Sequence, residues 1–258
     1  MRTWPVPEDL SPYYARDFGG VMKRRGGSYY EKLKQWLLGR ELRHMVKPGE
    51  KTTFLDVGCG CGDFSRLIAQ KGYPVIAVDA APGRPPEIAG MPEIPYHTIR
   101  FDTYEIEGLA PLRNGTIVLR HVLEHMQDPA RFLQRMRDYG IRTFYIAVPN
   151  ADCFERHLYG GSWFLWDPPR HLWHFNHASI RQLLERLGIP VVRRGYTISP
   201  TLIPSLYRWM RLRKFPESIY RHFGLKSSLT SLCGVFNLLI PTNVLWVVGQ
   251  VPEASVSS

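Results

Sequence analysis

Leu55-Asp56-Val57-Gly58-Cys59-Gly60-Cys61-Gly62-Asp63-Phe64 is the stretch around which the chain is arranged. Thr53, Phe54, Leu55 and Val57 are β-branched, aromatic or aliphatic, and predict a short buried strand. Gly58, Gly60 and Gly62 then turn the chain where no Cβ can be accommodated, and residues 64–70 predict a helix. A strand, a glycine turn and a helix N-terminus together present backbone N–H groups and a partial positive charge. A second strand over 74–78 runs into Asp79. A carboxylate there, about twenty residues beyond the first glycine, suits two ribose hydroxyls.

The glycine spacing discriminates between nucleotides. A dinucleotide site takes G-x-G-x-x-G, whose third glycine lets the helix pack closely on the strand. Here the spacing is G-x-G-x-G, with Asp63 in the third-glycine position and Asp56 in the strand end. Two carboxylates there repel a diphosphate and favour a ligand carrying an ammonium and a sulfonium. The stretch resembles motif I of the class I S-adenosylmethionine-dependent methyltransferases, and Asp79 stands at their acidic motif II position. The resemblance implies an α/β fold: a Rossmann-like, seven-stranded sheet with an antiparallel last strand and helices on both faces. It also implies S-adenosyl-L-methionine as cofactor, held by Asp56, Gly58, Cys59, Gly60, Gly62 and Asp79.

Upstream, Ser28-Tyr29-Tyr30-Glu31 is a capping box that opens a helix through Leu33, Trp36, Leu37 and Leu42 towards Met45, ended by Pro48-Gly49. Downstream, a third strand is expected over 97–101. In the family an acidic residue in the following loop often accepts from the adenine amino group. That points to Asp102, with Phe101 stacking on the ring; Asp102 as a helix or turn cap stays open. Strand four, 116–119, runs into Arg120-His121-Val122-Leu123-Glu124-His125. This resembles the small-molecule branch of the family and adds His121 to the implied cofactor-binding residues. It differs from the Asn/Asp-Pro-Pro-Tyr/Phe motif of DNA and many RNA amino-group methyltransferases. Residues 129–138 predict an amphipathic helix with Phe132, Leu133 and Met136 inward, and 143–148 predict strand five.

Asn150 is read as the N-cap of a helix over 151–159. An aromatic loop follows, with Trp163, Trp166, Trp173, Phe175, Arg170, His171 and His174 around Pro168-Pro169, which exclude a regular helix or central strand. Asn176 caps the next helix, which stops at Gly188. The segment from 167 to 189, with Asp-Pro-Pro-Arg-His and then Leu-Leu-Glu-Arg, resembles the ubiquinone-type and glycan-cluster bacterial subgroup. Methyl transfer to a hydroxyl needs alignment, exclusion of water and removal of one proton. His125 and His171 are the candidate catalytic bases, by position and by titration range; a capping or loop-locking role is the alternative for each. The loop's aromatics and arginine suit a sugar, an aromatic ring or a prenyl chain, or else the core of a lid. No metal is expected: His171, His174 and His177 are spaced by three, but no carboxylate or cysteine completes a set.

With 258 residues, the chain is long enough for one α/β domain with insertions, or a domain plus a small appendage, and its net charge is +10. Residues 1–49 are read as an arm and a helix. Residues 50–196 are read as the cofactor-binding core, with an acceptor loop at 150–176. Residues 197–242 are read as an insertion, and 243–258 as the last strand and tail. Strand six is expected over 191–196, with the last strand, 243–250, antiparallel beside it. Four cysteines follow no disulfide or zinc spacing, and Arg2 precedes no apolar run of signal-peptide length, so a cytoplasmic protein is expected. In the insertion, Arg208, Arg211, Arg213, Lys214, Arg221 and Lys226 face only Glu217, ahead of an apolar stretch over 229–240. Peripheral contact with the inner face of a membrane through 205–240 is one reading, packing on the sheet another. A membrane-spanning helix over 229–248 is opposed by Pro241 and by the need for a closing strand. The leading expectation is O-methylation of a small or lipid-linked acceptor, such as a glycan sugar or a quinone-like phenol. Nucleic acid is disfavoured by the motif after strand four; an RNA methyltransferase and a non-catalytic cofactor-binding scaffold are the alternatives.

Overall fold

The computed structural model describes residues 28–46, 49–80, 83–100, 105–106, 112, 114–197, 202–213 and 242–252. Strands β1 (Phe54–Val57), β2 (Val75–Asp79), β3 (Tyr96–Arg100), β5 (Gly115–Arg120) and β6 (Ile141–Pro149) run parallel. β7 (Val191–Thr197) and β8 (Val244–Gln250) close the sheet, with β8 antiparallel to both β6 and β7. These are the seven strands expected. A two-residue strand, β4 (Glu105–Ile106), adds antiparallel to the outer edge of β3. The order is β4-β3-β2-β1-β5-β6-β8-β7, so the chain reverses direction across the sheet between β1 and β5. In an open α/β sheet that reversal leaves a crevice at the carboxyl ends of the strands, where ligands bind.

Strand residues alternate between two packed faces. Phe54, Ala77, Val118 and Tyr145 pack on helices α1 (Ser28–Met45) and α2 (Asp63–Gln70), through Leu38, Leu42, Met45, Phe64 and Ile68. Leu55, Val78, Ile117 and Phe144 point the other way, onto α3 (Pro129–Asp138) and α5 (His177–Arg186), through Phe132, Leu133, Met136, Ile180 and Leu184. The expected inward face of α3 is thus the observed one. On α1, Trp36 is exposed while Leu38, Leu42 and Met45 are buried. The capping side chains of Ser28 and Glu31 lie outside the described residues.

Asn150 does not cap a helix directly. Its Oδ1 accepts from Asp152 N–H at 3.1 Å, and its Nδ2 donates to Thr242 O at 3.2 Å, tying the loop to the start of β8. Helix α4 (Phe154–Tyr159) starts three residues later than expected, capped by Cys153 Sγ, which accepts from Arg156 N–H. Asn176 caps α5 as expected, and Ser179 completes a reciprocal capping box. Of the insertion, α6 (Leu202–Leu212) is described; Lys214, Arg221, Lys226 and the apolar stretch 229–240 lie outside the described residues. Among the described residues no helix is long and apolar enough to cross a membrane.

Candidate active site

β1 delivers the glycine turn to the crevice. Gly58 N–H and Cys59 N–H both donate to Val78 O, at 2.7 and 3.1 Å, which pins the start of the turn to β2. Gly58 has φ +69°, and a Cβ there would sit 2.3 Å from a methyl of Val122, so the turn closes only with glycine. Gly60 differs. At φ +57° a Cβ would meet nothing within 4 Å, so the missing side chain leaves open space over the turn rather than a packing contact. Its N–H donates to Asp79 Oδ2 at 2.8 Å. Asp79 therefore braces the turn, a role the motif alone does not announce. A backbone cradle beside an acidic strand end fits the nucleoside part of S-adenosylmethionine.

The two carboxylates flanking the turn behave differently. Asp56 is 2% exposed and accepts from Ser65 Oγ at 2.6 Å. Burial pushes its pKa up to about 6, against the Ser65 hydrogen bond and the nearby Arg120. Asp63 opens α2 and pairs with Lys34 of α1 and with Arg66. Burial works against its ionised form, but hydrogen bonds from Cys61 and Lys34 still hold it below the usual range. Asp63 is thus answered by cations, and the expected joint repulsion of a diphosphate falls mainly to Asp56. Cys59 and Cys61 sit in the turn as half-buried thiols, both pushed up by burial, so neither is a ready nucleophile. Helix α1 reaches the crevice a second time, where Arg120 Nε donates to Glu41 Oε2 at 2.8 Å. The same guanidinium lies 5.1 Å over the Phe64 ring.

Beyond β5 the chain makes a tight turn with His121 at φ +57° and a short 3₁₀ turn, Leu123–His125. His121 is half-buried, its Nδ1 3.5 Å from Glu124 Oε1. Glu124 is wholly buried. Burial opposes its charge, yet His121 and the neighbouring His125 and His171 hold its carboxyl down at about 2. Its backbone carbonyl accepts from Leu172 N–H and Trp173 N–H, at 2.7 and 3.1 Å, which fastens the aromatic loop to this turn. His125 Nδ1–H donates to Arg170 O at 3.0 Å, and His171 Nδ1–H donates to Leu165 O at 2.8 Å. The two rings meet edge to face, centroids 4.7 Å apart. Burial lowers the pKa of His125 and pushes that of His171 down to about 4, so both are neutral near pH 7.

The structure thus brings both candidate bases together and adds a carboxylate the sequence had not joined to them. One ligand atom from each of Glu124, His125 and His171 lies within 4.8 Å of the others. The histidine set considered in the sequence is a different one, His171, His174 and His177. His174 and His177 play no part in the observed cluster: His174 packs on Trp166 and His177 on Tyr196. The loop's tryptophans largely form its own core. Trp163 is fully buried with Cys153 and Leu165, while Trp166 and Trp173 donate to Gly160 O and Met126 O, both at 2.8 Å. Arg170 pairs with Asp167 at 2.7 Å. Phe101 and Asp102 lie outside the described residues.

A family model described as a methyltransferase domain matches residues 28–193. A ubiquinone biosynthesis O-methyltransferase of Cereibacter sphaeroides is 29% identical over 164 residues, which cover 59% of this chain and 66% of that protein, just under two thirds of its length. Among solved structures, the 1,6-didemethyltoxoflavin-N1-methyltransferase of Burkholderia thailandensis, with S-adenosylhomocysteine bound, superposes with a TM-score of 0.56 at 14% identity. That match covers 98% of this chain and 95% of the other. The [4+2]-cyclase SpnF superposes with a TM-score of 0.59 at 10% identity, over 97% of both chains. At such identities the two structures establish the fold alone.

Proposed function

The chain belongs to the methyltransferase-domain family, and on that premise we propose that it methylates a hydroxyl of a small or lipid-linked acceptor, a quinone-like phenol or a glycan sugar. The cofactor, S-adenosylmethionine, supplies a methyl group on a sulfonium. Gly58, Gly60 and Gly62 give it a backbone cradle, with Cys59 in the same turn. Asp79 takes the ribose hydroxyls, Asp56 provides negative charge below the turn, and His121 stands half-buried at the edge. Phe101 and Asp102 are proposed for the adenine on the family resemblance.

The observation that carries the hydroxyl reading is the Glu124–His125–His171 cluster at the carboxyl end of β5. A hydroxyl acceptor has to give up a proton, and His125 and His171 are the groups proposed to handle it. Both rings are neutral near pH 7, each is oriented by a backbone carbonyl, and the buried carboxylate beside them favours any positive charge that develops. The relatives named as ubiquinone biosynthesis O-methyltransferases point the same way.

The lipid-linked reading draws on α6, which packs against α4 and the turns Gly160–Ser162 and Phe164–Trp166. Around that junction Phe154, Leu158, Phe164, Tyr207 and Leu212 are exposed, beside Arg208, Arg211 and Arg213. An apolar rim with a basic flank suits a prenyl or lipid tail and an anionic surface. The test is methyl transfer from labelled S-adenosylmethionine to a panel of catechols, prenylated phenols, nucleotide-linked sugars and primary amines, read by mass spectrometry. Methylation at oxygen supports the reading; transfer to amines alone overturns it.

A further inference from the structure

We propose that the outer ridge of helix α1, together with the edge strand β7, is a docking surface for an acidic, extended segment of a partner protein. The proposal concerns the outside of α1 rather than the crevice, and it stands whatever acceptor is methylated.

Among the described side chains of α1, Lys32, Trp36, Arg40 and Arg43 are the exposed ones. Spacings of four, four and three place them on one ridge, about 17 Å long at the rise of an α-helix. Trp36 is 55% exposed, and the Arg40 guanidinium lies 5.1 Å from its ring centroid, so a cation rather than the core holds the indole. The ridge continues onto β7. Arg193 Nη1 donates to His44 O at 3.4 Å, in the last turn of α1, where the helix dipole favours a cation. The His44 ring itself stacks on Trp246, centroids 4.3 Å apart, which fixes the end of α1 to β8. Burial, and then the charges of Arg40, Arg193 and Arg43, lower the pKa of His44, so these cations gather around one ring. β7 is the outermost strand at its end of the sheet and, among the described residues, pairs with β8 alone. Along it Val192, Arg193, Arg194 and Tyr196 are exposed.

The chemistry of the patch defines the partner. Among the described residues no carboxylate pairs with Lys32, Arg40, Arg43, Arg193 or Arg194. Other arginines are answered by acids: Arg181 lies beside Glu185, and Arg137 beside Asp138. The buried acid of α1, Glu41, is turned inward to Arg120. Crowded like charges repel one another and add nothing to the fold, whereas an anionic partner converts the same field into attraction. A second copy of this chain is a poor occupant, because an isologous contact would bring the same cations together. The residue types are those enriched in protein interfaces, Trp, Tyr and Arg, with a single lysine among the five cations. An unpaired strand edge is matched by an extended polypeptide, which can add to β7 as a further strand; neither RNA nor a membrane can use it. Carboxylates at alternate positions of such a strand would lie on one face, towards Arg193 and the α1 ridge.

The probe is a short labelled peptide alternating glutamate with threonine, titrated into the full chain by fluorescence anisotropy. Binding is expected, weakening as salt rises, while a peptide alternating lysine with threonine stays free. Arg40→Glu, Arg193→Glu and Trp36→Ala should each weaken binding by about 10-fold or more. Arg131→Glu and Arg181→Glu, exposed on α3 and α5 across the sheet, change the net charge as much and should leave binding within about twofold. Urea unfolding identifies the variants that remain folded. Hydrogen exchange of the wild type needs no variant: the amides of β7 should gain protection when the peptide is added. An acidic peptide that stays free at low salt overturns the proposal. So does binding that leaves β7 unprotected, or that Arg131→Glu weakens as much as Arg40→Glu, since both mark attraction to bulk charge. Single-stranded RNA or anionic vesicles held through Arg40 and Arg193, with the peptide unbound, would assign the face to a different class of partner and overturn it too.

Discussion

Asp56→Asn tests the electrostatics of the cofactor turn in the absence of any cofactor. Asp56 is sealed under Ser65, and burial moves its pKa from 3.8 to about 6. An acid with a raised folded-state pKa holds its proton more tightly in the folded chain than in the unfolded one. Between about pH 4 and pH 6 the folded protein therefore keeps a proton that the unfolded chain has released. Stability falls as pH rises through that window, by about 3 kcal/mol for a change of this size, and levels off above it. Asparagine occupies the same volume, can still accept from Ser65 Oγ, and does not titrate. Urea unfolding of wild type and variant at pH 4, 5, 6 and 7 reads the difference directly. Relative to wild type, the variant should gain about 3 kcal/mol between pH 4 and pH 7. Asp167, also raised to about 6 by burial, titrates in both proteins and cancels. Cofactor must be left out, because a cationic ligand favours the ionised carboxylate and would mask the effect. Parallel stability profiles would mean that Asp56 titrates as an ordinary carboxyl, and the account of the turn would fail.

Other substitutions separate the parts of the site. Asp79→Ala removes both the ribose partner and the acceptor of the Gly60 N–H, so S-adenosylmethionine affinity should fall by roughly 1.5–3 kcal/mol; calorimetry showing unchanged affinity would remove the cradle reading. His171→Ala should lower turnover by about 10² to 10⁴ while cofactor affinity stays near wild type. If affinity and rate fall together, His171 acts by locking the loop through Leu165 O. Replacing Arg208, Arg211 and Arg213 of α6 with glutamine should abolish the salt-sensitive part of flotation with anionic liposomes, at about 1 kcal/mol per arginine. A wild type that stays unbound on anionic and neutral vesicles alike would give the insertion a purely structural role.

What the sequence made legible is what it keeps local. The strand, the glycine turn and Asp79 lie within one run from 54 to 79, so their spacing alone joins them. The remainder depends on partners far apart in the chain. Lys34 and Asp63, 29 residues apart, and Glu41 and Arg120, 79 apart, fasten α1 to the crevice, and no spacing rule joins them. Glu124 did leave a signal, since it is a lone carboxylate among Val122, Leu123 and Met126, all buried. Read locally, it was part of a family motif; only the folding of 165–171 over it shows that it faces two histidines. The fold itself does not decide the chemistry, because a [4+2]-cyclase superposes over nearly the whole chain. On the proposed reading, the reaction is set where the turn after β5 meets the aromatic loop. There Trp163 fills the loop's interior, Trp166 and Trp173 donate to backbone carbonyls, and Glu124, His125 and His171 converge beside them. The aromatic residues that suggested a sugar or ring ligand in the sequence thus mainly give the loop its shape, and the polar cluster beside them is the one the proposed chemistry uses.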